Sequence, residues 1–451
     1  MKTLLSGGTV YSHGVARRAD ILVEAGKIIA VEPNIEAKPD TLQIDASGKH
    51  LLPGFIDLHV HLDDTIGEFD LADSYETGSC VAIQNGITTI WSFITQQPQQ
   101  PLTTAIETAK RKAGHNCWCD YGWHLTPTTF DEAAWQEIDQ WIEKGFRTFK
   151  FYTTYREAGL YLDYPELQTI FQKLSKRVDR ILVHCEDETV LQSIAPVQLG
   201  DANALSHTLR RPATAEIVAV SRVCEIARDA VVPLHVVHVS SPESVSILQQ
   251  TKRTSDVTCE TAPHYFTLCD DVLRRLDGYR WLCSPPLRDI ATMRIHRELA
   301  AQPDYFDIFA TDHCPFRKKD KVKYRDHVNK VPNGIAGLGA LPHLVAQLHS
   351  DTERSLLDLA NRLSESPARI LNIYPRKGIL QKGSDADIVM ITLTDETRAI
   401  QSSLSDVYES YPDQISNLSI ALVMKQGEPI VIDGKLVAGK QPGGNCLCLT
   451  E

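Results

Sequence analysis

No stretch of this chain approaches 18 consecutive apolar residues, so nothing in it reads as a helix that spans a membrane. Positive charge is not in excess either. The 46 Lys and Arg stand against 58 Asp and Glu, a formal charge of -12. That balance gives no electrostatic reason to expect a nucleic acid, whose phosphates demand clustered cations over a broad surface. The one basic run, RKKDKVKYR at 317–325, reads as a solvated loop. No GxGxxG opens a strand–helix unit, so an open doubly wound sheet lacks its usual support. Repeats of solenoid length and low-complexity tracts are also missing. Cysteine is present but unpatterned: the 11 residues are an odd number, scattered, and many lie in apolar segments. CWC at 117–119 has neither redox nor zinc spacing. The opening MKTLLSGGTVYS holds an apolar patch too short for a secretory leader and runs straight into strand-like sequence. These features predict a reduced, cytoplasmic protein.

What is present is a repeated grammar. With 43% hydrophobic residues among 451, the chain can bury a large core, and its length suits one large domain plus a smaller one. From about residue 50, short apolar, β-branched or aromatic runs alternate with longer helical stretches. The runs are LLPGFIDLHV, GITTIWSFI, DYGWHLT, FRTFKFYTTY, RILVHCED, VPLHVVHVS, DVTCETAPHYF and FDIFATDHCPF, eight in all. Between them lie helices such as DEAAWQEIDQWIEKG at 131–145, acidic at its start and stopped by Gly145. Eight strands alternating with helices predict an α/β protein, a closed parallel (β/α)8 barrel of the TIM type over 50–379. The flanks, 1–49 and 380–451, alternate in period two around Gly turns and predict a small β-sandwich domain built from both chain ends.

Barrel enzymes carry their chemistry at the C-terminal ends of the strands, and there the polar residues of this chain collect. In GFIDLHVHLDD, His59 and His61 stand two residues apart, so in a strand they point to the same side, within reach of one metal ion. In RTFKFYTTY, Thr148, Lys150 and Tyr152 share one face, against Phe149 and Phe151 on the other. A lysine among aromatics is costly unless its charge is offset or it snorkels to water. His184 shares a face with Leu182 and Glu186. His235 and His238 face opposite ways, and position favours His238 for the site and His235 for structure. Asp312 and His313 also oppose each other, with Asp312 aligned to Ile308 and Ala310. Five strand ends bearing a His, Lys or Asp make a metal site the economical reading.

Taken together, PGFIDLHVHLD, FKFYTTY, VHCED, VVHVS, SPPLR, ATDHCPF and VPNGIAGL resemble the amidohydrolase superfamily, and within it the cyclic amidase branch of hydantoinases and dihydropyrimidinases. The resemblance covers nearly the whole chain. It implies two divalent metal ions, usually Zn2+, one held by His59, His61 and Asp312, the other by His184 and His238, with an N6-carboxylated Lys150 bridging them. It further implies that Asp312 and Tyr155 act in catalysis and that Tyr155, Ser284 and Asn333 bind substrate. The implied activity is metal-dependent opening of the cyclic amide of a ureide ring, hydantoin or dihydropyrimidine, to an N-carbamoyl amino acid. Dihydroorotase or allantoinase on the same framework is the alternative, and a non-catalytic assembly relative stands further back. Asp63 and Asp64 after the paired histidines favour a neutral ring over an anionic one. The resemblance also implies a homodimer or homotetramer. The basic run, lying between the eighth strand and Asn333, is expected to form a mobile loop over the pocket mouth.

Overall fold

A computed structural model describes residues 2–194 and 203–449. Each of the eight predicted runs contributes one barrel strand: Phe55–Val60, Ile87–Thr95, Asp120–Thr126, Thr148–Tyr152, Arg180–His184, Leu234–Val236, Val257–Thr261 and Ile308–Phe309. Each pairs in parallel with the next in chain order. The first and last strands meet just beyond their ends. Val60 bridges His313, and the His61 amide donates to the His313 carbonyl at 2.8 Å. That seam makes the sheet a cylinder.

The strands are almost wholly buried because helices cover their outer face and side chains fill the interior. A helix separates every pair of successive strands, from Tyr75–Gln84 to Ile290–Ala300. Their ends follow local chemistry. The predicted helix over 131–145 forms as Glu132–Glu143, with the Asp131 side chain accepting the Ala134 amide. Tyr164–Leu174 starts on a reciprocal Asp163 and Glu166 capping box.

Both chain ends contribute to a separate nine-stranded sheet, which also takes in His50–Pro53. Its own apolar core joins Leu5, Val10, Ile21 and Ile28 to Ile388, Met390, Leu422 and Met424. The run LLPGFIDLHV is divided between the two sheets: His50–Pro53 pairs with Lys2–Ser12 and Ile388–Ala399, and only Phe55–Val60 enters the barrel. Gly54 makes the break possible, since a Cβ there would lie 2.1 Å from Thr88 Oγ1. Behind it, the buried Lys377 ammonium joins Asp120 at the start of the third barrel strand to Asp385 and Asp387 beside the flanking sheet.

The basic run differs from expectation. It contains a helix, Lys318–Lys323, clasped to the hairpin Thr65–Ile66 and Phe69–Asp70. The Tyr324 hydroxyl donates to Glu68 at 2.6 Å, and Lys323 pairs with the same carboxylate. Lys321 is buried, its ammonium donating to the Leu282 carbonyl. A tyrosine and one inward lysine within the run turn a solvated charge cluster into an anchored element.

No described helix is long and apolar enough to cross a membrane.

Candidate active site

At the C-terminal end of the barrel, His59, His61, Lys150, Tyr155, His184, His238, Ser284, Asp312 and Asn333 line one cavity of about 370 Å³. His59 comes from within the first strand, and His61 lies just past its end. Their rings sit 5.4 Å apart between centroids. The Asp312 carboxylate lies 3.2 Å from His59 Nε2 and 3.5 Å from His61 Nε2. Across the cavity, His184 Nδ1 and His238 Nε2 stand 2.9 Å apart. The His238 and His59 ring centroids are separated by 5.4 Å.

Strand alternation does not carry as far as the sequence reading took it. The sixth strand ends at Val236 and the eighth at Phe309. His238, at φ 38°, and Asp312, at φ 50°, lie beyond those ends in left-handed backbone. Their side chains reach the cavity through turns, not through the pleat. His235 is held by Thr258 and Glu260, as a structural histidine should be. His313 turns away to Asp73.

Two of the four imidazoles, His59 and His184, are aimed by a carboxylate on their far side. Glu260, at the end of the seventh strand, holds His59 Nδ1, leaving Nε2 for the cavity. Glu186 accepts from His184 Nε2 at 2.8 Å, leaving Nδ1 turned toward His238 Nε2. Arg211 grips Glu186 through its Nε at 3.0 and 3.1 Å and lies over the Tyr155 ring. Glu260 and the Glu186–Arg211 pair were not singled out from the sequence. Glu186 stood on the same strand face as His184, and that was the available signal.

The electrostatics suit cation binding. Burial holds His184 down at about 4 and His238 well below its usual range, so both offer lone pairs at neutral pH. Burial would also lower His59, but the Glu260 and Asp312 carboxylates outweigh it and carry the ring up to about 9. A proton there occupies the place a cation would take. Lys150 is buried between Phe93 and Tyr152, and burial draws its ammonium down to about 8 against the pull of Glu260 and Asp312. Burial pushes the Tyr155 phenol up to about 12. It therefore keeps its proton and can donate. Asn333 Oδ1 is buried with no partner among the described residues.

A larger cavity, about 630 Å³, lies beside Pro53, ahead of the first barrel strand. Its Arg362 and Arg369 are paired with Asp358 and Glu365.

A model of the amidohydrolase family matches residues 50–430. The chain belongs to the amidohydrolase family. This amidohydrolase is 30% identical to a D-hydantoinase of Streptomyces coelicolor over 98% of this chain and 97% of that one. It is 30% identical to a dihydropyrimidinase of Arabidopsis thaliana over 86% of this chain and 74% of that one. A D-hydantoinase crystal structure superposes with a TM-score of 0.92 at 27% identity, covering 100% of this chain and 99% of that one. The dihydropyrimidinase from Brevibacillus agri NCHU1002 gives 0.90 at 26% identity, covering 100% and 99%. Within the family the chain falls on the hydantoinase and dihydropyrimidinase branch. Amidohydrolases are metal-dependent, and His59, His61 and Asp312 form a group able to hold an ion.

Proposed function

We propose that this amidohydrolase opens the cyclic amide bond of a ureide ring, hydantoin or dihydropyrimidine, to give an N-carbamoyl amino acid. The observation that carries the reading is the convergence of nine side chains of suitable chemistry on one strand-end cavity, in a chain whose relatives are named for these rings. Those names do not favour the dihydroorotase, allantoinase or non-catalytic alternatives.

The donor set fits two divalent cations, with Zn2+ as the proposed metal. His59, His61 and Asp312 would hold one and His184 and His238 the other, with Lys150 carboxylated on Nζ as the bridge. Carboxylation requires a neutral amine, and the buried Lys150 reaches that form more readily than a solvated lysine. Bound there, the cations would supply hydroxide at neutral pH and polarise the amide carbonyl. Asp312, held well below the ordinary carboxylate range by its histidine neighbours despite burial, is ionised and able to accept a proton. Its role is to take the proton from the attacking water at a carboxylate oxygen and pass it to the departing ring nitrogen. Tyr155 donates a hydrogen bond from its phenol to the carbonyl oxygen as negative charge develops there. The unspent Asn333 Oδ1 accepts a ring N–H, and the Ser284 hydroxyl serves the ring from the neighbouring loop, joined to it by the Gly334 amide and the Leu282 carbonyl at 2.8 Å.

We further propose that the protein works in the cytoplasm as a dimer or tetramer. The free state of the 11 cysteines supports a reducing compartment. Metal-loaded protein assayed side by side on hydantoin, dihydrouracil, allantoin and dihydroorotate tests the activity. Ring opening of hydantoin or dihydrouracil is expected, and turnover of dihydroorotate alone would overturn the choice of ring.

A further inference from the structure

The turn after the first barrel strand holds two adjacent acids with different fates. Asp63, at φ 52°, turns toward the helix Tyr75–Gln84, where its Oδ2 accepts the Tyr75 amide at 2.7 Å. Asp64 faces the main cavity. Its side chain also borders a second cavity of about 350 Å³, and Thr65, Thr95 and Gln97 share that position with it.

The Asp64 carboxylate is partly buried and incompletely used. Oδ1 accepts the Thr65 amide at 2.8 Å, and Oδ2 accepts the Thr95 hydroxyl at 3.4 Å. A carboxylate has about four acceptor sites, so roughly half of this one is unspent. Among the described residues no cation forms an ion pair with it. Lys112, the lysine of the second cavity, donates to the Asp63 carbonyl instead. Burial pushes Asp64 up to about 6. The Lys112 charge offsets part of that cost without bonding the carboxylate, which keeps acceptor capacity facing the cavity. The same cavity also has apolar lining, with Ile66 and Phe69 from the adjoining hairpin and Leu160 and Val331.

We propose that Asp64 selects the ring substituent, accepting hydrogen bonds from an amino, guanidino or ureido terminus whose apolar stem lies along Ile66, Phe69, Leu160 and Val331. A terminal carboxylate is repelled, and a plain alkyl chain leaves the acid unpartnered. This rests on the cyclic amide reading of the site.

The test compares metal-loaded wild type, Asp64→Leu and the volume-conserving Asp64→Asn on hydantoin and on hydantoins carrying 4-aminobutyl, 3-ureidopropyl, pentyl or 2-carboxyethyl groups at carbon 5. In wild type, kcat/KM for the aminobutyl and ureidopropyl rings exceeds that for the pentyl ring by about tenfold or more, the scale of one charge-assisted hydrogen bond. The carboxyethyl ring is the poorest. Asp64→Leu brings the aminobutyl-to-pentyl ratio to about one or below, and Asp64→Asn lowers it. Calorimetric titration with N-carbamoyl-lysine and N-carbamoyl-norleucine gives the same order without turnover. Opening of hydantoin with no preference among substituents, or a ratio that survives both variants, overturns the assignment while leaving the activity standing. Failure to open any of the rings removes the activity and this assignment with it.

Discussion

Lys150 shows how burial and use meet at one side chain. Its stem packs among aromatics, no carboxylate pairs with it among the described residues, and the two histidine pairs stand around it. As the proposed bridge it turns an unwelcome cation into an anion that two cations stabilise. Lys150→Ala should therefore lose both bound metal and ring opening. Elemental analysis of purified protein checks the first independently of the assay, and wild-type metal content in the variant would sink the bridge. At this scale alternation set His59 and His61 on one side and Lys150 on a face with Thr148 and Tyr152, while the bridging role of Lys150 came from the family resemblance. His238 and Asp312 were reached by a rule that stops at the strand ends, and their left-handed turns are invisible to a period-two pattern. The Glu260 grip on His59 spans 201 residues of chain. No local reading could pair them.

Among elements, the eight strands and their helices were legible because barrel strands are short continuous apolar runs bounded by turn residues. The split within LLPGFIDLHV was not. Its two halves look alike in hydrophobicity, and only their pairing partners tell them apart. Gly54 marks the point of division, backed onto Thr88. Gly54→Ala should destabilise the fold by about 1–3 kcal/mol, the usual cost of forcing a methyl group into a packed site. Urea denaturation measures this, and an unchanged midpoint would show that Thr88 yields freely. The clasped basic helix was missed for a related reason, since charge patterning describes a segment's solvent affinity and not the single lysine that turns inward.

For the whole molecule, the barrel and the flanking sheet are tied by buried charge. Burial alone would raise the Asp120 carboxyl, but Lys377 and Lys425 outweigh it and hold it down at about 2. The unfolded chain takes up this proton first, so the stabilisation is complete above pH 4 or so and is lost as pH falls toward about 2. Lys377→Met leaves Asp120, Asp385 and Asp387 without their shared cation and should cost about 3–5 kcal/mol at neutral pH. Thermal unfolding across pH 3 to 7 reads both effects, and a variant as stable as wild type at pH 7 would refute the tie. The cylinder's seam carries a different consequence. The contact that joins its first and last staves, His61 to His313, sits between two donors to the same proposed ion. The paired histidines lie on one side of that seam and Asp312 on the other. The three donors of the proposed ion therefore stand together only where the first and last staves meet.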